Sequence, residues 1–206
     1  MTPQDRTVGA TRGRGRPKDP EAGRAILRAG LELFVERGFE GTSMEQIAKR
    51  AGVGKLTVYR RWSSKEELLS RAIEMMVEEP GWPSNDEIRV ASPHEILERI
   101  LPASAEMAVD PRFRALVARI LGSSVSHPSL MATYWKHYVA PRRAATSALL
   151  ENARRDRKVP VDADVDVLMD MMAGAVLYRV LQPNPPDARE MERYLREVYR
   201  VAGLLP

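Results

Sequence analysis

The apolar positions of this chain recur with helical period along nearly its whole length. Leu27, Leu31, Phe34 and Val35 fall at i, i+4, i+7 and i+8, the stripe of an amphipathic helix that begins near Glu21 and stops at Gly38. A second helix opens at "TSMEQ", where Thr42 or Ser43 can cap free backbone N–H groups while Glu45 or Gln46 reaches back, and its inward face is Met44, Ile47, Ala48 and Ala51. "AGVGK" supplies a glycine where a left-handed residue would end that helix, and the short segment "KLTVYRRW" follows at once with Val58 and Trp62 inward. A fourth helix starts at Ser63 or Ser64, carries glutamates in its first turn and turns Leu68, Leu69, Ala72, Ile73 and Met76 inward.

"PGWPSNDEIRVASP" breaks the pattern with three prolines and reads as a boundary or an inter-helix loop. Helical period then resumes, predicting helices near Pro93 to Ala108, Pro111 to Ser123, Pro128 to Arg157, Asp164 to Leu181 and Pro186 to Ala202, each opened by Pro or Asp. No convincing alternating strand and no repeat of solenoid period is seen. The expected fold is all-α, with about nine helices.

Charge changes this picture by being local. Up to Arg71 there are 15 Lys and Arg against 9 Asp and Glu, an excess of +6; the remainder has 17 against 19, or −2. A positive end on a nearly neutral body is the footprint of a module that meets phosphate. Cysteine is absent, which removes disulfides, thiolate metal sites and cysteine nucleophiles together. Neither an apolar run of membrane-spanning length nor a secretory signal is seen, so no membrane partner and a cytoplasmic location are expected.

Within the basic part, Ala48, Gly52 and Val58 stand four and then six residues apart with Ile47, Ala51 and Val53 around them. That spacing suits a helix-turn-helix: a small residue where two helices cross, a glycine at the turn, and a branched residue holding the second helix on the first. A helix carrying Lys55, Arg60 and Arg61 beside so few inward residues points its other side chains outward, toward duplex DNA. Thr42 and Ser43, at a helix N-terminus, suit a phosphate contact.

"GTSMEQIAKRAGVGKLTVYRRWSSKEELL" resembles the DNA-binding domain of the TetR family of transcriptional regulators, over about residues 21 to 70. Two positions depart from the usual run, Val58 for Leu and Trp62 for Phe; both stay apolar and inward. The resemblance implies that Lys55, Leu56, Thr57 and Arg60 face base edges or nearby backbone in the major groove, and that Tyr59 and Lys65 contact phosphates; Arg61 suits either role. It also implies three parts: a basic arm at 1–20, expected to be disordered, a three-helix helix-turn-helix domain at 21–66, and a larger helical ligand-binding and dimerisation domain at 67–206. In the arm "RGRGRPK", Arg14, Arg16 and Lys18 are expected to enter the adjacent minor groove, as homeodomain arms do.

For the C-terminal part the resemblance implies a homodimer and an enclosed pocket for an unknown small-molecule effector. "DVDVLMDMMAGAVLYRVL" and "DAREMERYLREVYRVAGLL" are the dimer helices, with Leu168, Ala175, Val176, Tyr194 and Val198 at the interface. Tyr134, Trp135, Tyr138 and Met172 are the pocket candidates, the three aromatics lying just before Pro141, which would kink or break the helix. "VDADVD" imitates a calcium loop but has Val167 where glycine is needed and Ala173 where the bidentate glutamate should stand, so its acids are read as favoured at a helix N-terminus. His94, His127 and His137 are far apart and show no carboxylate partner in the sequence. No metal, cofactor or catalytic set is therefore expected. The expected function is a ligand-released repressor on a palindromic operator; the rivals are an architectural DNA-binding protein and an all-α enzyme.

Overall fold

Each predicted helix is present in the computed structural model, which describes residues 20–77, 87–88 and 91–206. The helices are α1 Pro20–Arg37, α2 Met44–Arg50, α3 Lys55–Tyr59, α4 Lys65–Val77, α5 Pro93–Val109 and α6 Pro111–Gly122. Pro128–Tyr134, a π-helical turn Trp135–Val139 and Ala140–Arg155 follow without a break and are treated as one helix, α7; α8 is Val165–Val180 and α9 Ala188–Val201. Among the described residues there is no strand, and no helix is long and apolar enough to cross a membrane.

The ends of these helices follow from their sequences. Ser43 caps α2 and Ser92 caps α5, each in a reciprocal box with the residue three further on, Gln46 and Glu95. Gly52 takes φ +67°; its N–H donates to the Lys49 carbonyl, and that of Val53 to the Ala48 carbonyl, so a Schellman turn closes α2. Asp164, from the false calcium loop, caps α8 by accepting from the N–H groups of Asp166 and Val167.

Pro141 leaves its mark one turn upstream. With no N–H at residue 141 and its ring pressing on the preceding turn, the helix widens, and the N–H of Ala140 reaches back to the Trp135 carbonyl. The Arg142 guanidinium donates to the Tyr138 carbonyl at 3.3 Å. The helix is bulged, and it continues to Arg155.

Among the described residues two apolar cores result. The second joins α5, the C-terminal half of α7, α8 and α9 around Leu97, Leu101, Leu149, Leu150, Met191 and Leu195. The first is built by α1 to α4 from Ile26, Phe34, Ile47, Val58 and Leu69, and runs on without a gap into Leu116 and Ile120 of α6 and Leu130 and Tyr134 of α7. The expected boundary at 66/67 falls in the first turn of α4, a helix whose buried Leu68, Leu69, Ala72 and Ile73 belong to this shared core. Close approach matters here: a Cβ on Gly30 would meet the Leu68 side chain at 2.6 Å, so α1 and α4 touch nearly backbone to side chain.

Polar pins reinforce the same seam. Arg119 of α6 donates to the carbonyls of Val35 and Glu36 at 3.0 and 3.1 Å, taking up orphan acceptors at the end of α1. All three histidines have carboxylate partners, contrary to expectation: His94 with Glu98 at 3.8 Å, His127 with Glu40 at 3.0 Å and His137 with Glu74 at 3.5 Å. The last two pairs join the α1–α4 unit to α7 and the turn before it, over separations that no local reading of the sequence could bridge.

Candidate nucleic-acid interface

α3 is held by very little of itself. Val58 is fully buried, whereas Leu56 is 78% exposed and Tyr59 43% exposed. Lys55 and Arg60 are exposed as well, and Thr57 is half-buried. With a five-residue helix pinned through one branched side chain, the remaining positions form a convex outer face. An exposed leucine flanked by cations is costly in water and suits a thymine methyl between phosphates.

Glu45 of α2 organises that face, and sequence reasoning gave it only a capping role. The Lys55 ammonium donates to Glu45 Oε1 at 2.5 Å, and the Tyr59 hydroxyl donates to the same oxygen at 3.3 Å. The ammonium also lies 5.5 Å from the centre of the Tyr59 ring. The Lys55 hydrogen bond draws the Glu45 carboxyl down to about 2, so the carboxylate stays charged well into acid. This clasp spans ten residues across the turn, and the signal for it was an acid in the first turn of the preceding helix. Replacing Glu45 by Gln should tighten binding to any duplex by about three- to tenfold at low salt, since it removes a charge that repels phosphate and competes for Lys55. Fluorescence anisotropy at two salt concentrations measures it; equal or weaker binding would show that the clasp orients Lys55 without restraining it.

Arg61 is half-buried and lies against α1, its Nη1 3.0 Å from where a Cβ on Gly23 would stand. Ser43 is half-buried and engaged in its capping box. Two of the expected phosphate contacts have polar atoms engaged within the protein. Thr42 is 2% exposed, its N–H bonded to the Phe39 carbonyl and its hydroxyl to that of Gly38, so it braces the α1–α2 turn from inside. Lys65 donates to the Phe39 carbonyl at 2.6 Å with its ammonium 3.9 Å above the Phe39 ring, which directs it toward protein. Arg14, Arg16 and Lys18 lie outside the described residues.

Of the four pocket candidates, Tyr134 and Tyr138 stack on each other and Trp135 stands between them in the chain. Tyr134 is buried in the first core and stacked on Tyr138 at 5.1 Å; burial raises its hydroxyl well above the ordinary tyrosine value. Tyr138 also meets Phe113 at 5.2 Å and lies under the Arg142 guanidinium. Trp135 is 46% exposed, and Met172 packs on the second core. Among the described residues no group of three or more His, Asp or Glu is set to hold a metal.

Comparison with known proteins gives the same outline. The family model described as bacterial regulatory proteins of the tetR family matches residues 26–72, and that of the tetracyclin repressor-like C-terminal domain matches residues 92–198. The uncharacterised HTH-type transcriptional regulator YhgD of Bacillus subtilis is 32% identical over 183 residues, covering 87% of this chain and 94% of its own. The similar regulator YdeS of the same organism is 26% identical over 170 residues, 82% of each chain. FadR of Bacillus subtilis, solved in complex with stearoyl-CoA, superposes with a TM-score of 0.69 at 17% identity, over 87% of this chain and 96% of its own. With both halves matched and an exposed recognition helix in the first of them, the chain belongs to the TetR family of transcriptional regulators.

Proposed function

We propose that this protein is a homodimeric repressor that binds a palindromic operator and is released from it by a small molecule. The observation that carries the DNA-binding part is the outward face of α3, where Lys55, Leu56, Tyr59 and Arg60 surround a wholly buried Val58. In this reading Lys55, Leu56, Thr57 and Arg60 meet base edges, while Tyr59 and Arg61 meet backbone. Selection of bound duplexes from random DNA tests it: a symmetric consensus with half-sites about 34 to 36 Å apart is expected for a two-fold dimer. Binding that rises with DNA length and shows no consensus would leave the architectural reading instead.

The dimer part rests on α8. Val167, Met171, Gly174, Tyr178 and Leu181 follow one another at helical spacing, and the four with large side chains are 53, 64, 74 and 46% exposed in that order. Leu168, Met172 and Val176 face the second core of their own subunit, and the Tyr194 hydroxyl donates to the Ala175 carbonyl at 3.3 Å, linking α9 to α8. We place the interface on Val167, Met171 and Tyr178, beside the expected Leu168, Ala175 and Val176, with the exposed Val201 of α9 beside Val198 as further apolar surface. A helix apolar on both sides suits burial on both sides. Changing Met171 and Tyr178 together to Glu should shift the protein to monomer, read by sedimentation, and raise the dimer dissociation constant by about a hundredfold or more. An unchanged dimer would move the interface elsewhere.

The small-molecule part is supported by the FadR fold, which accommodates stearoyl-CoA in that protein. A ligand acts by preferring one relative setting of the two recognition helices over the other.

A further inference from the structure

A cleft of about 790 Å³ opens where α1, the residues just after α3, α4 and the π turn of α7 come together. Arg24, Arg61, Arg71 and His137 supply its basic lining, and Leu27 and Trp62 supply apolar surface. Two carboxylates also border it, and both are engaged locally. Glu67 accepts from the N–H and hydroxyl of Ser63 at 2.7 and 2.6 Å, and Glu74 is paired with Arg71 and His137. Those partners hold both carboxyls below the ordinary carboxylate range, Ser63 in one case and chiefly Arg71 in the other.

The wall is also shaped for a guanidinium. Gly23 lies inside α1, where glycine is less favourable than alanine. Its missing side chain gives the Arg61 guanidinium room to lie against the helix. Planar guanidinium groups accept flat apolar bodies on their faces and carboxylates at their edges.

We infer that this junction cleft binds a small organic anion, a carboxylate carried on a flat apolar body, and that its occupancy alters how α3 is held. Arg24 and Arg61 take the carboxylate, and Trp62 and Leu27 meet the apolar part. The linkage arises because Arg61 and Trp62 follow directly on α3, while His137 sits in the π turn of the helix that enters the second core. A molecule seated there ties the DNA-binding face to the C-terminal helices at the seam itself, away from the aromatic cluster around Tyr134. The linkage rests on the DNA-binding reading above; the binding does not.

The test uses the full chain, 1-naphthoate as probe and 1-naphthalenemethanol as its uncharged counterpart. Amide shifts by NMR locate binding, calorimetry measures it, and circular dichroism confirms that variants remain folded. Saturable shifts are expected around residues 20–27, 60–62 and 133–137, with the alcohol binding about tenfold or more weaker. Arg24→Ala should weaken naphthoate about tenfold. Ser70→Trp, which fills the cleft, should abolish binding. Saturating naphthoate should change affinity for a fixed duplex by about threefold or more. Absence of saturable binding up to about 10 mM, equal affinity for the alcohol, or undiminished binding by Ser70→Trp overturns the site. Binding at the cleft with unchanged duplex affinity overturns the linkage; binding by a protein that recognises no duplex overturns the DNA-binding reading and leaves the site standing.

Discussion

Replacing Lys55 and Arg60 together by alanine is expected to weaken operator binding by about 10²- to 10⁴-fold at physiological salt, from about tenfold to a hundredfold for each base-directed cation lost. Both side chains are exposed, Lys55 at the start of α3 and Arg60 just after its end, and the helix is anchored through Val58, so the variant should melt with the wild-type protein. The expected signature is specific as well as large. Affinity for unrelated DNA should fall far less than affinity for the operator, because phosphate attraction is shared with other basic groups of the N-terminal part. Anisotropy titrations against operator and scrambled duplex, at two salt concentrations, measure both quantities. Equal losses on the two duplexes would assign these residues to backbone contact alone.

Phe34→Ala should carry the largest cost to stability, about 3–5 kcal/mol, the range for removing a buried phenylalanine from a packed core. Phe34 is wholly buried in the core that α1 to α4 share with apolar residues of α6 and α7. Neighbours on several helices fix one another's positions, so the cavity has little room to collapse. Urea unfolding at fixed protein concentration tests this, since the apparent stability of the proposed dimer would vary with concentration. The midpoint should fall for probes in both halves of the chain at once. Early loss of α1 to α4, with the C-terminal helices untouched, would mean that the seam is weaker than its packing implies.

Helix positions were largely legible because prolines, aspartates and serines mark where helices open, and the helix-turn-helix was legible in the spacing of Ala48, Gly52 and Val58. Position in three dimensions was harder to read. α8 is apolar on both sides, so its period cannot say which side faces inward, and an exposed stripe with Val167 and Met171 runs next to the expected one with Leu168 and Val176. Thr42 and Lys65 have the residue types of phosphate contacts, yet a tight turn at Phe39 uses their polar atoms for its own carbonyls. The pairings of His127 with Glu40 and His137 with Glu74 join separate segments through folding alone. Pro141 was a sound signal of disturbance; the outcome, a widened turn in an unbroken helix, depends on packing along both halves of α7.

The seam between α1 and α6 bears on how such regulators can be recombined. A fragment ending at Val77 would turn toward water the apolar flank that meets Leu116, Ile120 and Leu130. Trading this reading head for that of a relative therefore means transplanting α6 and the first half of α7 with it, and a chimera spliced in the proline-rich stretch before α5 would inherit two mismatched flanks. For this chain the natural cassette is defined by a packing surface and is discontinuous along the sequence.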